Sequence, residues 1–188
     1  MRNKDYFKGK NILIAGFARS GLAAANLLYD LGAKVSISDN TDNAITRRNL
    51  KELRSQEIKV ELGKHSRDFI EGADLLIISP GIPDEALPIL WAKEAGIPVI
   101  SEVELAWILC PANIIAITGT NGKTTVTTLV GKIIEAWGKR VFTCGNIGRP
   151  FSSEVGKMEE KDYVSLEVSS FQLEKIDTFR PKVAAILN

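Results

Sequence analysis

With 188 residues, 45% of them hydrophobic, the chain can build one large or two small domains with real cores, and its formal net charge of +1 gives no case for nucleic acid or an anionic membrane as main partner. Cys110, Cys144 and the single His65 show no metal-ligand spacing, so the thiols read as packing residues in a reducing compartment. The apolar run after the charged start is too short for a signal peptide, and no stretch reaches the ~18 apolar residues of a membrane span, so a cytoplasmic location is expected.

In chain order, Asn11–Gly16 reads as a buried parallel strand and Leu22–Leu31 as a helix closed by Gly32. Val35–Ser38 forms the next strand and ends in Asp39. An amphipathic stretch follows around Ile45–Leu53, then a strand near Lys59–Leu62. Asp74–Ser79 is another buried strand, ending in Ser79-Pro80-Gly81. Leu87–Ala95 is a helix with Pro88 in its first turn and Gly96 after it. Val99-Ile100 makes a short strand, and Ser101-Glu102-Val103-Glu104 has capping-box spacing at the start of a helix toward Leu109. Strands alternating with helices, most strands continuously apolar, imply a parallel sheet covered on both faces.

Ligands bind such sheets beyond the carboxyl ends of the strands. Three candidate points fall there: Gly16-Phe17-Ala18-Arg19-Ser20-Gly21, Asp39, and Ser79-Pro80-Gly81. The first is a dinucleotide fingerprint with Ala18 in place of its middle glycine. Nucleotide binding is expected, though NAD is not favoured; a tight glycine turn beside a solvated aspartate is the plainer alternative.

Pro111 stops the preceding helix and marks a domain boundary, dividing the chain into 1–111 and 112–188. After it, Ile114–Ile117 runs into Thr118-Gly119-Thr120-Asn121-Gly122-Lys123-Thr124-Thr125. A helix then opens whose apolar residues (Val126, Leu129, Val130, Ile133, Ile134, Trp137) form one stripe. Strand, glycine turn and helix in that order suit a phosphate-binding loop. Backbone N–H groups and the helix N-terminus face the anion, Lys123 adds a full charge, and Thr124 sits where a hydroxyl reaches Mg²⁺. The first glycine of the strict Walker pattern is missing, since Ile117 stands there; a strand–turn–helix junction that happens to carry Gly-Lys-Thr is the alternative. Arg140–Thr143 is a strand leading to Gly145-Asn146-Ile147-Gly148, a turn. Tyr163–Ser170 is a strand with Glu167 near its carboxyl end, where a carboxylate can hold Mg²⁺ or stand in solvent. Val183–Leu187 is a last strand at the end of the chain, and the second domain is expected to be truncated.

The phosphate loop, Gly145-Asn146-Ile147-Gly148 and Leu166-Glu167-Val168-Ser169-Ser170-Phe171-Gln172-Leu173-Glu174 together resemble the Mur ligase superfamily, and the last run its D-glutamate-adding branch. The resemblance implies an α/β protein: a Rossmann-like parallel-sheet N-terminal domain that binds a UDP-substrate, followed by the first part of a P-loop domain that binds ATP. It also implies an ATP-dependent amide ligase of peptidoglycan precursor synthesis that joins D-glutamate to UDP-N-acetylmuramoyl-L-alanine through an acyl phosphate, with ATP and Mg²⁺ required. Carried over by position, Gly119, Thr120, Asn121, Gly122, Lys123, Thr124 and Thr125 bind ATP. Lys123, Glu167 and Asn146 serve catalysis, and Thr124 and Glu167 hold Mg²⁺. Asn146, Ser169 and Gln172 contact the muramoyl-peptide end or the metal environment. Arg19, Ser20, Asp39, Asn40 and Thr41 surround the uridine, while Ser79, Pro80 and Gly81 pass close to the pyrophosphate. Arg19 departs from the uncharged residue expected in that loop. The family continues into parts that bind D-glutamate and clamp ATP, so these 188 residues alone are expected to lack ligase activity. Another Mur ligase, a folylpolyglutamate synthase-like enzyme and a non-catalytic nucleotide-binding module are the competing readings.

Overall fold

A computed structural model describes all 188 residues. The first half folds as β1 (Asn11–Ala15), α1 (Arg19–Asp30), β2 (Lys34–Asp39), α2 (Ala44–Leu50), β3 (Lys59–Leu62), β4 (Leu75–Ile78), α3 (Leu87–Glu94) and β5 (Val99–Ser101). Helix α4 (Glu102–Leu109) follows. The rest is β6 (Asn113–Gly119), α5 (Lys123–Ala136), β7 (Val141–Gly145), α6 (Phe151–Glu154), β8 (Tyr163–Glu167), α7 (Ser170–Leu173) and β9 (Val183–Leu187). The strands make two sheets, β3-β2-β1-β4-β5 and β7-β8-β6-β9, and every pairing is parallel. Parallel order follows from the helical crossovers, and it puts all strand carboxyl ends of a sheet on one edge.

The apolar strands β1 and β4 bury both faces. Ile12, Ile14 and Ile77 point into one cluster, Leu13, Ala15, Leu76 and Ile78 into another against Ile89 and Ala92 of α3. The first cluster does not stop at the sheet. It runs through Leu105 and Leu109 of α4 and Phe151 of α6 to Ile114, Val164 and Leu166 of the second sheet. One continuous apolar core therefore holds both sheets.

Two helices turn a different face inward than their apolar residues suggest. In α5 the buried line is Thr127, Gly131 and Ile134, while Leu129, Ile133 and Trp137 are more than half exposed. Gly131 explains the choice: a Cβ there would stand 2.3 Å from Thr143 Oγ1, so the helix is drawn in at its smallest residue. In α2, Ile45 and Leu50 are exposed and Thr46 and Asn49 are buried. The capping spacing at Ser101 is also only half realised. Ser101 Oγ accepts the Glu104 N–H at 3.2 Å, but the Glu104 carboxylate does not turn back; the Ser101 N–H goes to Lys175 O.

Candidate nucleotide and substrate site

The turn after β1 keeps the first and last glycines of its fingerprint for steric reasons. Gly16 has φ +91°, and a Cβ there would lie 2.9 Å from Ser79 Cβ; a Cβ on Gly21 would meet Gly16 O at 1.9 Å. Strand, turn and helix can approach this closely only without those side chains. The turn is then held from three directions. Asp39 Oδ2 accepts the Phe17 N–H at 2.6 Å, Asn49 Nδ2 donates to Phe17 O at 2.7 Å, and Ser79 Oγ donates to Gly16 O at 3.0 Å. Asp39 Oδ1 accepts from Thr41 N and Oγ1. Both Asp39 oxygens and the Ser79 hydroxyl are thus committed to shaping their own loops.

Sequence reasoning gave Asn49 no role, because its partner is a backbone carbonyl 32 positions away. It also missed a polar cluster behind β2, where Ser38 Oγ meets His65 Nδ1 at 2.7 Å and Glu61 Oε2 at 3.2 Å. Burial pushes the His65 imidazole below its ordinary value, against the pull of the Asp39 and Glu61 carboxylates. Burial alone would raise Glu61, but hydrogen bonds from Ser66 and Ser38 and the Lys64 charge hold it below the usual carboxylate range.

In the second sheet the loop after β6 turns at Gly119 (φ +135°) and Gly122 (φ +76°), the residue before α5. A Cβ on Gly119 would fall 2.1 Å from Leu187 O in β9. Lys123 Nζ folds over the loop and donates to Gly119 O at 2.7 Å and Thr120 O at 3.0 Å. Beside it, Glu167 ends β8 between Ile117 of β6 and Gly145 of β7. Its carboxylate is 3% exposed and held at both oxygens: Thr124 Oγ1 donates to Oε2 at 2.8 Å and Asn146 Nδ2 to Oε1 at 2.9 Å. One carboxylate so joins the phosphate loop to the turn after β7. A hydroxyl and a carboxylate side by side suit Mg²⁺, which takes one or two protein oxygens and fills its shell with phosphate and water. No group of three or more His, Cys, Asp or Glu gathers anywhere in the chain to make a protein-only metal cage.

A cavity of about 160 Å³ opens between the two sheets, lined among others by Arg19, Ser20, Ser79, Pro80, Asn146 and Gln172. Arg19 reaches across it, its guanidinium donating to Gly148 O at 3.1 Å. Gln172 is 2% exposed; its Oε1 accepts from Ser169 N and Oγ, which fixes the amide and leaves its N–H₂ without a protein acceptor. Gly81 lies in the adjoining hollow with Phe171 and Gln172. Asp39, Asn40 and Thr41 stand apart from this cavity, at the end of β2, and Gly119 to Thr125 lie behind Glu167. A larger hollow of about 690 Å³ lies at the opposite edge, at the amino ends of β1 to β3, and holds none of the motif residues. Part of its wall, Asp68 to Ala73, comes from the link between β3 and β4, which carries only a short 3-10 turn.

Residues 10–101 match the family described as Mur ligase MurD-like, N-terminal domain, and residues 117–188 match the Mur ligase middle domain. The chain belongs to the Mur ligase family. It is similar to UDP-N-acetylmuramoylalanine–D-glutamate ligases over nearly its whole length: 48% identical to that of Chloroherpeton thalassium over 98% of the chain, 47% to that of Geotalea uraniireducens over 95%, and 44% to that of Koribacter versatilis over 96%. In each case the chain spans 40% of the relative's length. Among solved Mur ligases, the fold resembles UDP-N-acetylmuramate:L-alanyl-gamma-D-glutamyl-meso-diaminopimelate ligase from Neisseria meningitides (TM-score 0.58, 20% identity, 94% of this chain and 59% of that one). UDP-N-acetylmuramate-alanine ligase from Thermotoga maritima is similar too, with TM-score 0.54, 22% identity and coverage of 94% and 40%. At the position of the missing Walker glycine the chain has not yet turned: Ile117 still lies within β6, paired to Glu167 and Ala185, two residues before Gly119.

Proposed function

We propose that this Mur ligase chain carries the UDP-substrate domain (1–111) and the first part of the ATP-binding domain (112–188) of an enzyme that joins D-glutamate to UDP-N-acetylmuramoyl-L-alanine. ATP would supply the phosphoryl group that turns the alanyl carboxylate into an acyl phosphate, which the amine of D-glutamate then attacks. Bringing two anions together needs cations and N–H donors in fixed places rather than covalent work by the protein. Lys123 exchanges its two carbonyl partners for phosphate oxygens, and the loop N–H groups and the start of α5 hold the remaining charge. Thr124 and Glu167 would hold a Mg²⁺ ion, which would supply positive charge beside the phosphate oxygens. Asn146 and Gln172 offer amide donors to the substrate end in the cavity, and Arg19 places a positive charge beside its anionic part. Ala18 to Ser20 and Gly81 present backbone N–H groups to the diphosphate, Ser79 and Pro80 shape the loop beside it, and the turn of Asp39, Asn40 and Thr41 borders the uridine.

The observation that carries this reading is the Thr124–Glu167–Asn146 relay. Thr124 and Asn146 meet on the two oxygens of one carboxylate, an arrangement that supports transfer of a phosphoryl group between ligands on either side of it. The test is a calorimetric titration of the chain with UDP-N-acetylmuramoyl-L-alanine, with NAD⁺ and UMP for comparison. Saturable heat with the UDP-peptide and none with NAD⁺ is expected. Binding of NAD⁺ without the UDP ligand overturns the proposal.

A further inference from the structure

Helix α4 leads from the first sheet to the second, and its opening residues are buried in an unusual way. Ser101, Glu102 and Glu104 are all at most 3% exposed. Isolated carboxylates at such depth cost several kcal/mol, and an apolar helix would fill the same space more cheaply. Glu104 offsets its burial with four donors from one short segment of the second half. Oε1 accepts from Thr178 N at 2.9 Å and Thr178 Oγ1 at 2.5 Å; Oε2 accepts from Phe179 N at 3.0 Å and Asp177 N at 3.1 Å. The same segment is caught twice more by the first half, through Ser101 N to Lys175 O and through a Lys175–Asp84 ion pair at 2.7 Å. Glu102 takes hold elsewhere: its Oε1 accepts the Ser152 N–H at 2.6 Å, while Oε2 finds no partner.

Both gripped segments continue directly into the cavity wall. Ser152 lies two residues after Pro150, and Asp177 ends the stretch that begins with Ser169 and Gln172. The remaining wall, Arg19 to Ser20 and Ser79 to Pro80, belongs to the first sheet. The buried hydrogen bonds from the start of α4 therefore tie the two walls together, alongside the Lys175–Asp84 ion pair and the Arg19–Gly148 contact.

We propose that Glu104, with Glu102, is a positioning residue that fixes the width and register of the inter-sheet cavity, so that an anionic, nucleotide-linked substrate spanning both walls is held in line with Glu167. This rests on the reading of the cavity as the substrate site. The segment Ser169–Phe179 is kept in place across the sheet boundary, and its amide donor at Gln172 keeps a constant distance from the Ser79-Pro80 loop. Phosphate-loop chemistry lies on the far side of Glu167 and owes nothing to this grip.

The test uses Glu104→Gln, and Thr178→Val as a milder change that removes one of the four donors. Amide hydrogen exchange on the free protein and calorimetric titrations with UDP-N-acetylmuramoyl-L-alanine and with Mg²⁺-ATP are measured on each. In Glu104→Gln, exchange in 169–179 should rise and exchange in 119–125 stay as in wild type. The UDP ligand should bind about tenfold more weakly, as loss of a charge-assisted hydrogen bond allows, with ATP affinity unchanged. Thr178→Val should move the same quantities in the same direction by less, and it carries the test should Glu104→Gln not fold. Unchanged exchange in 169–172 overturns the proposal. So does an equal loss of both ligands with a lowered Tm, which is general loosening. If wild type binds no UDP ligand, the functional reading fails and the exchange contrast alone decides the positioning role.

Discussion

The turns after β1 and after β6 are built alike, strand into glycine turn into helix, yet their side chains are spent differently. Around Gly16 the polar groups are consumed in holding the turn: Asp39 and Asn49 grip the two sides of the Phe17 backbone and Ser79 grips Gly16 O. What remains for a ligand is backbone and shape, with Arg19 the one charge at the turn. Around Gly119 the glycines shape the turn, and the side chain that grips it is a cation, Lys123 on Gly119 O and Thr120 O, with the Thr124–Glu167 pair beside it. On the proposed reading the first turn recognises a nucleotide and the second moves a phosphoryl group. The same topology serves either purpose, and the side chains around it decide which.

The largest effect that separates the two turns should come from Lys123→Ala. In the ligase extended to the length of its relatives, ATP turnover should fall by at least about a hundredfold, because a cation at a transferring phosphoryl group is lost. UDP-ligand affinity, measured by calorimetry, should stay at the wild-type value; wild-type turnover would end the assignment of the second turn. Gly119→Ala comes next. The new Cβ would collide with Leu187 O at a backbone angle reserved for glycine, and at a cost of about 2–3 kcal/mol Tm should drop by roughly 5–10 °C in a thermal melt. Asp39→Asn should act only on the first turn. Weakening the grip on Phe17 N should lower UDP-ligand affinity by about tenfold or less and leave ATP binding alone, and equal loss of both would mean the whole fold had loosened.

The smallest effect concerns Glu102. Burial raises its carboxyl above the ordinary range, against a weaker opposing pull from its Ser152 hydrogen bond. A carboxyl whose folded value lies above its unfolded value binds the extra proton in the folded state, so wild-type stability falls as pH rises from about 4.5. Glu102→Gln lacks that titration. The Tm of the variant minus that of wild type should therefore become more positive from pH 5 to pH 8; a difference flat across that range contradicts the burial cost. The Cys110 thiol, pushed up to about 11 by burial, stays protonated throughout and does not confuse the comparison.

Much of this contrast was legible in the sequence. Continuous apolar runs such as Leu75–Ile78 announce strands buried on both faces, and Thr118 to Thr125 announces a glycine turn into a helix, because both are local patterns. Three features were not local. The stripe on α5 is fully buried only at Ile134, since the inward line depends on Gly131 meeting Thr143 on another element. Ser101-x-x-Glu104 has the same spacing whether the carboxylate turns back to the cap or outward to Thr178, so pattern alone favoured the cap. Arg19 was read into the uridine loop, while its guanidinium reaches a carbonyl 129 positions away in the second half.

On the proposed reading Glu167 is the joint between the phosphate loop and the substrate cavity. The direct measurement is a titration of ATP with and without Mg²⁺ into wild type and Glu167→Gln, repeated with UDP-N-acetylmuramoyl-L-alanine present. The glutamine keeps the shape but removes the charge that would hold the metal. The account expects Mg²⁺ to strengthen ATP binding in wild type and to lose that effect in the variant, with binding of the UDP ligand weakened only slightly. An undiminished Mg²⁺ effect in Glu167→Gln would contradict it.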